Sequence, residues 1–129
     1  FPDVPGAYWV SLDELLTRSD FVSLHIPHTN ETHFILGAEE FAKMKKGAYI
    51  INCGRGGTID EAALYDAIVR GWIAGAALDV FEDEKVERGR RLLELPQVIG
   101  SPHIGAGTVE AQAKVADEVA QIVIAFSRR

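Results

Sequence analysis

The stretch from Ala48 to Glu61 restricts what this chain can fold into more than any other. Its apolar opening, Ala48-Tyr49-Ile50-Ile51, ends abruptly in the polar, glycine-rich turn Asn52-Cys53-Gly54-Arg55-Gly56-Gly57-Thr58. A helix-like pattern begins at Asp60, whose side chain can accept a backbone N–H of the new helix. Strand, tight loop and helix in that order make a βα unit. Glycine lets a backbone turn where a side chain would clash, and lets a ligand approach closely. In an open α/β sheet the carboxyl end of a strand is where ligands bind. Arg55, set among Gly54, Gly56 and Gly57, is suited to grip a carboxylate there with two parallel hydrogen bonds. A surface turn with a solvated arginine is the plainer alternative, but it gives no reason for three glycines around one charge.

The same alternation runs along the chain. Ser11-Leu12-Asp13-Glu14 has the form of a capping box ahead of Leu15 and Leu16, and a short helix is expected to stop near Ser19. Phe21 to His25 reads as a strand closed by Ile26-Pro27, because proline cannot donate to a sheet ladder. Residues 38–44 read as a helix, 48–52 as a strand, and 61–70 as a helix ended by Gly71. Residues 73–80 form a small-residue apolar strand, of the kind buried on both faces of a parallel sheet. The charged stretch Glu82 to Arg91 comes next, then the very short strand Val98-Ile99-Gly100. A second ligand-type loop, Ser101 to Gly107, leads into a long final helix capped by Thr108 and reaching about Phe126. Strands alternating with helices mean βαβ units, a parallel sheet and an α/β fold.

Composition narrows the function classes. The 129 residues are 47% hydrophobic and 25% charged, ordinary for a globular domain, and suffice to bury a core. A formal charge of −6 argues against non-specific binding to nucleic acid or to an anionic membrane. With one cysteine, Cys53, no internal disulfide can form, and a cytoplasmic location is the natural expectation. The opening Phe1-Pro2-Asp3-Val4-Pro5-Gly6 reads as the middle of a loop, so this is expected to be a piece of a longer protein.

Parallel strands would place His25 and Pro27, Arg55, Asp79 and Glu84, and His103 on one edge of the sheet, converging on one cleft. Arginine binds and polarises a carboxylate substrate, histidine moves a proton near neutral pH, and a carboxylate tunes the histidine. That set serves a dehydrogenase, a lyase or a hydrolase equally. Gly54-x-Gly56-x-x-Ile59 and Gly105-x-Gly107-x-x-Glu110 both lie between a strand and a helix, but lack the third small residue of the dinucleotide fingerprint. His25, His28 and His33 cluster like metal ligands, yet Pro27 and the loop favour a strand terminus, so no metal is expected. Cys53 is read as a small packed residue rather than a nucleophile.

Three ordered motifs then carry a resemblance across nearly the whole chain: Ile51-Asn52-Cys53-Gly54-Arg55-Gly56-Gly57-Thr58-Ile59-Asp60-Glu61, Gly75-Ala76-Ala77-Leu78-Asp79-Val80-Phe81-Glu82-Asp83-Glu84, and Ser101-Pro102-His103-Ile104-Gly105-Ala106. Together with Val10 to Leu16 and Leu24-His25-Ile26-Pro27, they resemble the NAD-dependent D-2-hydroxyacid dehydrogenases. Asn-Cys-x-Arg-Gly-Gly and the run Thr108 to Gln112 look most like the D-3-phosphoglycerate dehydrogenases within that family. The resemblance implies that residues 1–129 are the C-terminal half of a Rossmann-type, doubly wound nucleotide-binding domain. The pyrophosphate loop and the substrate domain would then lie outside this chain. It implies that Arg55 holds the substrate carboxylate and carbonyl, that His103 is the proton donor and acceptor, and that Glu84 is its partner. Ile26, Pro27, Cys53, Gly54, Arg55, Asp79, His103, Ile104, Gly105 and Ala106 would line the cofactor, NAD. Lys85 stands where the family pattern has proline after the glutamate. A small 2-hydroxy or 2-oxo acid would be the substrate, and a homo-oligomer through this domain is expected. An NAD-sensing module or transcriptional corepressor on the same fold is the rival reading, against which the retention of Arg55, Glu84 and His103 speaks. Formate dehydrogenase chemistry in the same superfamily has glutamine at the Glu84 position.

Overall fold

The computed structural model describes residues 5–83, 91–105 and 107–127. Four strands, β1 (Phe21–Leu24), β2 (Ala48–Asn52), β3 (Ile73–Leu78) and β4 (Val98–Gly100), form one parallel sheet in the order β1-β2-β3-β4. The pairing is close to continuous, with Phe21 opposite Tyr49, Ile50 opposite Ala76 and Leu78 opposite Gly100. Helices α1 (Leu12–Arg18), α2 (Ala38–Lys43) and α3 (Glu61–Val69) come before or between the strands, and α4 (Val109–Ser127) follows the last. Residues 91–93 are also helical.

Local chemistry sets the helix ends. Ser11 Oγ accepts from Glu14 N at 3.2 Å, and Asp60 Oδ1 accepts from Ala63 N at 3.0 Å, each satisfying a donor that the first helical turn leaves open. Only half of the expected capping box forms at α1, because Glu14 turns to pair with Arg18 one turn along. Thr108 Oγ1 caps α4 through Ala111 N at 3.1 Å. α2 ends at Lys43, one residue short of the expected range, and Lys45 beyond it bridges to Asp20 at 2.6 Å.

Side chains alternate across a strand, so residues two apart share a face. Val22, Leu24, Ile50, Ala76, Leu78 and Val98 therefore point together and meet Leu16, Phe41, Leu64 and Ile68 in one core. The opposite face is not covered by described residues. There Phe21 stacks on Tyr49 with ring centroids 5.3 Å apart, and Ile99 is 72% exposed. β3, expected to be buried on both faces, leaves Ala77 half-buried on that side. α4 is exposed along nearly its whole length, Phe126 to 78%, although its apolar residues recur at helical spacing. A parallel sheet needs a layer on each side, and the described residues supply one.

Candidate functional site

Because all four strands run parallel, the loops that follow them leave one edge of the sheet in strand order. Each loop touches the next. A Cβ at Gly54 would lie 3.1 Å from Leu24 O and 3.4 Å from Ile26 O, so the loop after β2 rides against the end of β1. Gly56 backs onto the Phe81 carbonyl, which brings in the loop after β3. The loop after β3 is tied to that after β4 by Asp79. Its Oδ1 accepts from Ser101 Oγ at 2.5 Å and Ile104 N at 3.1 Å, and Oδ2 accepts from Gly105 N at 3.2 Å. The Ser101 hydroxyl, helped by these two amides and the charge of His103, holds the Asp79 carboxyl below the usual carboxylate range against the effect of burial.

Asp79 thus winds the loop of residues 101–105 around one carboxylate, and within it His103 adopts φ 54°, a left-handed conformation uncommon outside glycine. His103 and Arg55 are both exposed. Their loops follow strands two places apart, roughly 10 Å at about 4.8 Å per strand, a gap that a small acid held by both side chains can bridge. A cleft of 450 Å³ opens beside His103, lined by Asp79, Phe81, Leu93, Ser101 and Pro102 among others. Across the edge, the His28 ring occupies the space beside Gly57 (φ 74°), where an added Cβ would meet His28 Nε2 at 2.9 Å, and His28 Nε2 is 3.0 Å from His33 Nδ1. No group of three or more His, Cys, Asp or Glu side chains able to hold a metal occurs among the described residues.

The match to known proteins decides what this edge belongs to. The family model described as D-isomer specific 2-hydroxyacid dehydrogenase, NAD binding domain, matches residues 2–105. The chain belongs to this family. It is 45% identical over 123 residues to the glyoxylate reductase of Korarchaeum cryptofilum, covering 95% of this chain and 37% of that protein. It is 52% identical over 110 residues to the D-3-phosphoglycerate dehydrogenase of Methanocaldococcus jannaschii, covering 85% of this chain and 21% of that protein. The D-lactate dehydrogenase of Aquifex aeolicus, solved with NAD and lactic acid, superposes with a TM-score of 0.79 at 38% identity, over 94% of this chain and 41% of its own. The chain therefore spans well under half the length of the relatives it matches. The sheet with its helices is of the Rossmann type, and the cofactor of this domain is NAD.

The residues present fit the nicotinamide end of that cofactor. A flat ring bearing a carboxamide needs a mostly apolar slot with a few polar groups, and Phe81, Leu93 and Pro102 stand beside Asp79, Ser101 and His103. Of the four acceptor positions of a carboxylate, described residues fill three on Asp79 and leave one on Oδ2. A carboxamide N–H is the complementary donor.

Of the residues named from sequence, Ile26, Pro27, Cys53, Gly54, Arg55, Asp79, His103, Ile104 and Gly105 all lie on this edge, while Glu84 and Ala106 fall outside the described residues. Cys53 corrects one expectation. It is exposed rather than packed, because strand alternation turns Asn52 inward and the next residue out. Glu61 enters the sequence reading only as the start of the helix after the glycine turn. It is 8% exposed and accepts the Glu82 backbone N–H, so it anchors the loop after β3. Asn52 and Thr58 were also missed, although an Asn in register with Ala48 and Ile50 signals a polar side chain facing the core. The Arg55 guanidinium turns back to donate from Nη1 to Gly54 O at 2.8 Å.

Proposed function

We propose that the protein to which this domain belongs transfers a hydride between NAD and a D-2-hydroxy acid, and that its substrate is D-3-phosphoglycerate. The observation that carries the reading is the placement of Arg55, Asp79 and His103 on successive loops at the carboxyl edge, with Asp79 and His103 beside one cleft. Arg55 grips the carboxylate and the neighbouring carbonyl oxygen of the acid with its planar fork. His103 gives a proton to that oxygen during reduction and takes it back during oxidation. Glu84, as the partner the family motif gives His103, would stabilise its protonated form, and Asp79 holds the His103 loop while offering an acceptor to the carboxamide. NAD, when bound, accepts or supplies the hydride at C2 of the acid.

The Asn52-Cys53-x-Arg55-Gly56-Gly57 motif and the phosphoglycerate dehydrogenase relative support the choice of substrate, with the phosphate bound partly by residues outside this chain. A homo-oligomer assembled through this domain belongs to the same reading, and so does a cytoplasmic location, which the single cysteine supports. Among the described residues no helix is long and apolar enough to cross a membrane. A panel of D-2-hydroxy acids assayed with NAD on the full-length protein tests the proposal. D-3-phosphoglycerate should give the highest kcat/KM. Lactate or glycerate clearly ahead of it would overturn the substrate assignment, and no turnover of any member would overturn the reaction.

A further inference from the structure

We propose that Asn52 and Thr58 are positioning residues for Arg55, which set where its guanidinium stands by holding its backbone carbonyl from below. Asn52 is 2% exposed and Thr58 is fully buried. Asn52 Nδ2 donates to Arg55 O and to Thr58 Oγ1, each at 3.1 Å, and Asn52 Oδ1 accepts from Gly54 N at 3.1 Å. Thr58 Oγ1 donates to Arg55 O at 2.8 Å. The three groups close a ring in which both Nδ2 hydrogens and the hydroxyl hydrogen each have an acceptor. The orientation of the amide is forced, since Gly54 N–H is a donor and can face only an oxygen.

This network is aimed at one residue. Its members reach Gly54 and Arg55 on the glycine turn, and the carbonyl they share is that of Arg55. The Arg55 side chain is exposed and meets only the adjacent backbone at Gly54 O among described residues. Its direction is therefore set by the backbone at Cα rather than by packing along its length. A buried, fully satisfied ring is stiff, because any shift leaves a polar atom unpaired in a low dielectric. A misplacement of about 1 Å in a group that holds substrate can lower a rate about a hundredfold.

The proposal rests on the assignment of Arg55 to the substrate carboxylate, and the test separates the two. In the full-length protein, reduction of glyoxylate with NADH is compared among the parent, Thr58→Val and Thr58→Ser. Valine keeps the shape and removes the hydroxyl; serine restores it. Thr58→Val should raise the KM for glyoxylate about tenfold or more and leave the KM for NADH nearly unchanged, and Thr58→Ser should return both towards the parent. The Arg55 Nε–H resonance should move in Thr58→Val and return in Thr58→Ser, a readout that needs no activity. An unmoved resonance, or an unchanged KM for glyoxylate in an active Thr58→Val, overturns the positioning role. A parent that reduces no 2-oxo acid while the resonance moves counts against the proposed reaction instead. Should Thr58→Val not fold, Thr58→Ala takes its place. If neither folds while Thr58→Ser matches the parent, the pair is structural only and the proposal fails.

Discussion

The carbonyl of Phe81 stands where a side chain on Gly56 would begin. A Cβ added at Gly56 would lie 1.8 Å from Phe81 O and 2.5 Å from its carbonyl carbon, well inside van der Waals contact. The backbone of the arginine loop and that of the loop after β3 thus touch without an intervening side chain. Gly56→Ala must push the two loops apart, at a cost of about 1–3 kcal/mol for overpacking. Urea denaturation of parent and variant measures it. A change below about 0.5 kcal/mol, the range of ordinary surface substitutions, would mean that the loops separate freely.

For Arg55, replacement by lysine keeps the charge and removes the fork. Arg55→Lys in the full-length protein should lower kcat/KM for the 2-oxo acid by about 2–3 kcal/mol, the value of a charge-assisted hydrogen bond. NAD affinity should stay nearly the same. Steady-state kinetics and a cofactor titration check both halves, and an unchanged kcat/KM would remove Arg55 from substrate binding.

Asp79 makes an acid-side prediction. Its carboxyl is held below the ordinary range chiefly by the Ser101 hydroxyl, so the ionised form is the one the fold favours. A group with a depressed folded pKa contributes stability that is present above its unfolded value and lost as the pH falls through its folded value. Asp79→Asn carries no such charge. The parent should exceed the variant by a constant margin from neutrality down to the ordinary carboxylate range, and the margin should shrink below it. Chemical unfolding at a series of pH values follows this, and a margin that never narrows would refute it.

Glu61 should behave in the opposite sense. Burial raises its pKa, and the nearby Glu82, Asp60 and Asp83 add to that, while the Glu82 N–H it accepts works against them. A carboxyl with a raised folded pKa favours the fold when protonated, and that contribution is lost as the pH rises through the folded value. Glu61→Gln keeps an acceptor for the Glu82 N–H and has no charge to bury. Relative to the parent it should gain stability at neutral pH and lose that gain at acid pH. Thermal unfolding at two pH values decides, and a variant less stable at neutrality would show that the charge itself is needed.

NAD should bind the isolated 129-residue chain weakly. Neither glycine loop here carries the complete dinucleotide fingerprint, and helix N-termini with backbone N–H groups normally hold the pyrophosphate. Calorimetric titration of NAD into the chain should find no micromolar affinity. Micromolar binding would mean that the nicotinamide-side cleft suffices by itself.

Local pattern alone determined the βα order, the strand starts and the helix starts. Asp60 caps α3 and Thr108 caps α4 through atoms three residues away, and the short apolar run before Asn52 is a strand that stops at the polar, glycine-rich turn. The loop residues Arg55, Asp79 and His103 were legible for the same reason, since parallel strands put successive loops on one edge. Only the tertiary structure decided how those loops are held. Asp79 reaches Gly105 across 26 residues and Glu61 reaches Glu82 across 21, contacts that exist only once the strands have paired in register. The same register turned Asn52 inward and left Cys53 outside. It also left one face of the sheet and the length of α4 bare, because an apolar pattern states that a surface is to be covered and does not state by what.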